Sequence, residues 1–145
     1  IKKASTNPKV LYMISVLMAE KMQDENIRPD RIAGVVLGSV PLAAALSLAT
    51  GIPYVMLRKE KKDHGTGRLI EGDLNPGDKV LVVEDVVTTA GSSIAAIKTL
   101  RENGAVVENA LSVIDRESGG EQNYAEIGVK FYSLVKASEI VKAKQ

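Results

Sequence analysis

The sequence predicts an α/β domain built on a mostly parallel sheet, and three observations carry that expectation. Short apolar runs alternate with stretches of helical periodicity, in the repeating order strand, loop, helix. Parallel strands joined in that order need right-handed crossovers, and the helices then cover the sheet. The run Val80-Leu81-Val82-Val83 is apolar throughout, as expected of a strand buried on both faces. At 145 residues the chain suits one domain with a single core, so we expect one domain over 1–145.

The elements can be justified in order. Asn7-Pro8 reads as an N-cap followed by proline at the first helical position, and Val10, Leu11, Ile14, Leu17 and Met18 keep helical spacing to about Glu25. A polar turn over 26–31 leads to a buried strand over 32–37. Gly38-Ser39-Val40-Pro41 turns the chain into an Ala-rich helix over 42–49, stopped by Gly51. Residues 54–57 form a short strand. Residues 58–78 then read as one long polar connection, with Gly65, Gly67, Gly72 and Pro76-Gly77. Connections of that length are usually functional or disordered. A strand and helix occupy 79–103, with Gly104 as C-cap. A strand over 107–114, a loop at Ser118-Gly119-Gly120, a short helix over 121–127 and a strand over 129–135 follow. Ser138 is placed to cap a final helix.

Composition narrows the function classes. There is no cysteine, which excludes disulfides, thiolate catalysis and cysteine-based zinc sites and is compatible with a cytoplasmic location. Aromatic residues are 3% of the chain, with no Trp and one Phe, too few for a base-stacking platform. No apolar run approaches the roughly 20 residues that cross a bilayer. We expect neither a membrane nor a nucleic-acid partner. The net charge is +1, yet residues 58–68 hold Arg58, Lys59, Lys61, Lys62 and Arg68 against Glu60 and Asp63. That segment carries +3 and the remainder −2, so positive charge is concentrated where one small polyanion could use it.

The chemistry is densest in Glu84-Asp85-Val86-Val87-Thr88-Thr89-Ala90-Gly91-Ser92-Ser93. Two carboxylates stand at the carboxyl end of a buried strand, and a small, hydroxyl-rich turn precedes the next helix. Ligands of open parallel sheets bind at that edge, where loop amides and helix N-termini point outward. Residues 88–93 offer N–H groups and hydroxyls to a phosphate, with Gly91 expected to supply an unusual φ. Glu84 and Asp85 would repel that phosphate and need sugar hydroxyls or a hydrated Mg²⁺ instead. The ligand expected is both phosphate and sugar. No Gly-Lys-Ser/Thr occurs, so this is not a Walker loop. From residues alone, Gly38–Pro41 reads equally as a simple strand-to-helix turn, and Asp115-Arg116 as a surface ion pair.

This ten-residue pattern resembles the phosphoribosyl-pyrophosphate (PRPP) signature of the type I phosphoribosyltransferases. Within that family, Arg58-Lys59-Glu60-Lys61-Lys62-Asp63-His64-Gly65 is similar to the mobile loop of the orotate phosphoribosyltransferases, and Asp115-Arg116 after a later strand fits the same branch. The resemblance implies a three-layer α/β sandwich. It also implies transfer of phosphoribosyl from PRPP to orotate, giving orotidine 5′-monophosphate and pyrophosphate in pyrimidine synthesis. It assigns Arg58, Lys59, Lys62 and His64 to the pyrophosphate of PRPP, and Glu84 and Asp85 to the ribose hydroxyls. It assigns Val86, Val87, Thr88, Thr89, Ala90, Gly91 and Ser92 to the 5′-phosphate segment, and Thr88 and Arg116 to orotate. Lys62, His64 and Asp85 are the implied catalytic residues, with Asp85 assisting charge development at the ribose. Mg²⁺ is expected as cofactor, held mainly through PRPP and water and not by protein ligands. Gly38–Pro41 resembles the family's pyrophosphate loop. The family forms homodimers whose basic loops cross to the neighbouring subunit, with Lys59 the leading candidate here. Members carry an N-terminal hood over the base, and we expect residues upstream of Ile1 to complete it. Two other functions fit the same PRPP scaffold, a transferase for another base and a non-catalytic PRPP sensor.

Overall fold

The computed structural model describes residues 2–59 and 69–144. Helix α1 (Lys2–Ser5) and α2 (Pro8–Asp24) precede β1 (Arg31–Val35), α3 (Val40–Thr50), β2 (Tyr54–Leu57) and β3 (Ile70–Glu71). Then come β4 (Lys79–Val87), α4 (Gly91–Glu102), β5 (Val106–Asp115), α5 (Gly120–Glu126), β6 (Lys130–Lys136) and α6 (Ala137–Lys144). The described strands form one sheet in the order β3-β2-β1-β4-β5-β6, parallel except for the β2–β3 pair. The expected mostly parallel, three-layer α/β architecture is what forms.

Local signals act as anticipated at most boundaries. Asn7 caps α2, its side-chain oxygen accepting from the N–H groups of Lys9 at 3.0 Å and Val10 at 3.2 Å. Gly51 ends α3 in the left-handed conformation. The core is not single, however. Alternation along the strands sends Val80 and Val82 to one face with Ile97 and Leu100 of α4 and Tyr124 of α5. Leu81 and Val83 go to the other face, with Met18 and Met22 of α2 and Leu42 and Leu46 of α3. A parallel sheet covered on both sides must divide its apolar contacts in this way.

Three expectations change. The long connection over 58–78 contains β3, which runs antiparallel to β2 and pairs Leu57 with Ile70. The signature strand does not stop at Val83; its ladder with β5 continues through Val87–Asp115. Ser138 does not cap α6 with its side chain. Its backbone N–H donates instead to Glu117 Oε1 at 2.7 Å, a cap supplied from 21 residues upstream. That bond lowers the Glu117 pKa below its ordinary value.

Candidate active site

The strand order places a topological switch between β1 and β4: the chain leaves β1 toward β2 on one side, while β4 leads to β5 on the other. Connections diverge there, leaving a crevice beyond the carboxyl ends of the strands. The segments bordering it are 36–39 after β1 and 88–90 after β4. These are the two turns that sequence reasoning had found separately.

Packing ties them together. A side chain on Gly34 would meet Ala43 Cβ and Ser39 O, both at 2.9 Å, so glycine lets the turn fold back over the end of β1. The Val36–Leu37 peptide in that turn is cis. Ser39, only 2% exposed, accepts from Val35 N–H at 2.7 Å. Its single hydroxyl hydrogen can go to Val35 O at 3.0 Å or to Glu84 Oε1 at 3.4 Å. A side chain on Gly38 would come within 3.1 Å of Asp85 Oδ2, so Gly38 leaves that carboxylate uncovered. Thus both acids meet the 38–41 segment.

Because β4 continues past them, Glu84 and Asp85 are consecutive strand residues and leave the backbone on opposite faces. Asp85 Oδ1 accepts from the Val86 N–H at 2.8 Å. Burial, with the charge of Asp85 beside it, pushes the Glu84 carboxyl up to about 7; the Ser39 hydroxyl and the Lys59 ammonium pull the other way. This acid pair gains from hydroxyl donors or a cation, which is what a sugar or a hydrated divalent ion supplies. Among the described residues no group of three or more His, Asp or Glu is placed to cage a metal.

The turn after β4 is arranged for an anion. Ala90, not Gly91, takes the left-handed conformation, at φ 71°. A side chain on Gly91 would meet nothing nearer than Thr89 Oγ1 at 3.9 Å, so the position faces open space. Helix α4 starts at Gly91 with no acidic residue in its first turn, and its first intrahelical-type bond runs from Ile94 N–H to Ala90 O. The N–H groups ahead of Ile94 are left to the crevice. Val86 and Val87 belong to the ladder instead. Val87 is buried, and its carbonyl accepts from Arg116 N–H at 2.9 Å. Thr88, Thr89, Gly91 and Ser92 are exposed. A cavity of about 240 Å³ runs along Glu84 and residues 86–93. It shares Gly91 and Ser92 with a second cavity of about 340 Å³, bordered by Arg58 and Lys59.

Residues 3–137 match the family model described as phosphoribosyl transferase domain. The chain belongs to the phosphoribosyltransferase family. It is 53% identical over 143 residues to an orotate phosphoribosyltransferase of Pyrococcus horikoshii, covering 99% of this chain and 77% of that protein. Against the orotate phosphoribosyltransferase of Methanocaldococcus jannaschii the identity is 44% over 140 residues, 97% of this chain and 78% of the other. Among solved structures, the orotate phosphoribosyltransferase of Aeropyrum pernix superposes with TM-score 0.88 at 32% identity, covering 99% of this chain and 80% of that one. That of Mycobacterium tuberculosis in complex with PRPP gives 0.81 at 28% identity, covering 95% and 80%.

The remaining sites of this phosphoribosyltransferase are distributed as follows. Arg58 Nε donates to Glu71 Oε1 at 3.1 Å, a part-exposed ion pair across the β2–β3 hairpin that sequence reasoning missed. Lys59 is exposed, and its charge acts on Glu84 of its own chain. Lys62 and His64 lie outside the described residues. Arg116 is exposed just past β5 and makes no ion pair with any described residue; its neighbour Asp115 is buried and accepts from Glu117 N–H at 2.8 Å. The Asp115-Arg116 surface pair is therefore not formed. Helix α5 was also missed as part of the site. A side chain on Gly120 would meet Val87 Cγ1 at 2.6 Å and Thr88 O at 2.9 Å, and Asn123 Nδ2 donates to Thr89 O at 2.8 Å. Beneath them the Ser93 and Tyr124 hydroxyls are buried without a hydrogen-bond partner among the described residues. Burial pushes the Tyr124 phenol far above its ordinary range, and the charges of Glu84 and Asp115 add to the shift. The Gly119-Gly120 pair was the one sequence signal for this close approach.

Proposed function

We propose that this chain transfers the phosphoribosyl group of PRPP to orotate, forming orotidine 5′-monophosphate and pyrophosphate. One observation carries the reading. At the β1–β4 switch, the anion-ready 88–92 turn, Glu84 and the Arg58–Lys59 pair border adjoining cavities, and Asp85 stands next to Glu84 with its carboxylate beside Gly38. The 5′-phosphate takes the free N–H groups of the turn and the ribose hydroxyls take Glu84 and Asp85. Arg58 and Lys59, joined by Lys62 and His64, neutralise pyrophosphate. Thr88 contacts orotate, and Arg116, with no described partner for its guanidinium, donates to orotate's carboxylate in a bidentate pair.

In the reaction the bond from ribose C1 to the pyrophosphate oxygen breaks, and its electron pair leaves with pyrophosphate. A ring nitrogen of orotate supplies the pair for the new bond. Positive charge grows on the ribose as C1 opens, so Asp85 next to the sugar favours that state. Cations at the departing pyrophosphate gain most as negative charge accumulates there. Mg²⁺, when bound with PRPP, supplies further neutralisation of the pyrophosphate. The basic loop excludes water while the two substrates are aligned.

We take the chain to be one domain, acting in the cytoplasm as a homodimer. Among the described residues, no helix is long and apolar enough to cross a membrane. Tyr12, Met13 and Leu17 of α2 and Leu48 of α3 are 72%, 60%, 44% and 89% exposed, an apolar surface of the kind a second copy covers. The basic loop contributes across the subunit boundary, with Lys59 the leading candidate for that contribution and Glu84, Asp85 and Arg116 acting within their own subunit.

A pyrophosphate-release assay with PRPP and a panel of bases tests the reaction: orotate alone should support rapid release, and preference for uracil or a purine would overturn the substrate. Mixing two inactive variants tests the loop. Lys59→Ala with Asp85→Asn should recover roughly one quarter of wild-type activity, because half of randomly reassorted dimers are mixed and each has one intact site. Activity that stays at the level of the separate variants, with mixed dimers shown to form, would place the loop within its own subunit.

A further inference from the structure

Helix α5 touches the 88–92 turn through one side chain that nothing in the reaction so far uses. Asn123 Nδ2 donates to Thr89 O at 2.8 Å, across 34 residues of sequence. Its reach depends on Gly120, three positions earlier and on the same helical face, where a side chain would strike Val87 Cγ1 and Thr88 O. Tyr124, fully buried and stacked on Phe131 with ring centroids 5.0 Å apart, anchors that face to the core. The helix is therefore held rigidly against the turn.

The consequence follows from peptide geometry. In a planar trans peptide the carbonyl and the following N–H point in opposite directions. Drawing the Thr89 carbonyl toward α5 turns the Ala90 N–H away from it, toward the cavity along the turn. No described residue accepts from that N–H. Ala90 also sits at φ 71°, which a non-glycine residue adopts only under constraint. Asn123 supplies part of that constraint.

We propose that Asn123 is a positioning residue for phosphate binding: its side-chain amide fixes the Thr89–Ala90 peptide so that the Ala90 N–H faces the 5′-phosphate. The proposal rests on the PRPP reading given above. Asn123 touches no substrate, and it acts through the turn.

The test compares wild type with Asn123→Leu, nearly the same shape without a donor, and Asn123→Gln, which keeps the donor on a longer arm. PRPP affinity is measured by calorimetry, alongside KM for each substrate, kcat and melting temperature. Asn123→Leu should weaken PRPP about tenfold, the effect of one hydrogen bond. KM for orotate and kcat at saturating PRPP should stay within about twofold, and Asn123→Gln should restore part of the affinity. Wild-type PRPP affinity in Asn123→Leu would overturn the positioning role and leave the PRPP reading standing. Equal loss toward PRPP and orotate with a lowered melting temperature, unrelieved by Asn123→Gln, would make the residue merely structural and overturn the proposal. Failure of the wild type itself to bind PRPP would overturn both.

Discussion

Replacing Glu84 by glutamine should make the ligand-free protein more stable at neutral pH while damaging its function. The Glu84 carboxyl is raised from 4.5 to about 7, first by burial and then by Asp85. Between those two values the folded protein keeps a proton that the unfolded chain has released. Wild-type stability therefore falls as pH rises through that window and levels off above it. At about 1.4 kcal/mol for each tenfold change in ionisation constant, the displacement corresponds to about 3 kcal/mol. Glutamine has no proton to lose and escapes the penalty. Urea unfolding of both proteins, at one concentration and without PRPP or divalent cations, should give a difference that grows from pH 4.5 to pH 7.5 by about 2–3 kcal/mol in favour of Glu84→Gln. The same variant should bind PRPP at least tenfold more weakly, since a charge-assisted bond to a sugar hydroxyl is lost. A stability difference that stays flat across this range, or that favours wild type at pH 7.5, would refute the electrostatic account of the pair.

Other outcomes follow from the same geometry. Asp85→Asn should lower turnover far more than Glu60→Gln when both are assayed at saturating substrates, because the first lies at the β1–β4 crevice beside Gly38. Arg116→Ala should raise KM for orotate by about ten- to a hundredfold, one charged hydrogen-bonded contact, with calorimetric PRPP affinity unchanged. Gly120→Ala should cost about 1–3 kcal/mol in denaturant titration and raise KM for PRPP, since the new methyl meets Val87 and Thr88 at less than contact distance.

Much of this protein was legible in the chain because short-range physics governs it. Asn7-Pro8 starts α2, Gly51 stops α3, and Tyr54–Leu57 is β2, since caps, φ preferences and side-chain periodicity need no distant partner. The acids and the small-residue turn were also visible, as strand-end and helix-start chemistry lies within ten residues of sequence. Where local preference was silent, the reading failed. Residues 70–71 are too short to announce a strand, and only β2 beside them makes them one. Ala90 carries the positive φ that Gly91 was expected to take, because the surrounding contacts set that turn.

The sequence by itself determined the α/β class, the order of elements and the family signature. Tertiary structure alone decided that β1 lies against β4, which turns Gly38–Ser39 from an ordinary turn into a neighbour of Glu84 and Asp85. It also decided that Arg58 pairs with Glu71, that Glu117 caps α6, and that Asn123 grips Thr89. Each of these joins groups more than ten residues apart, and their meeting depends on which strands pair and which helix faces turn inward. That choice is made by burying two sheet faces at once, a property of the whole chain that no window of residues contains.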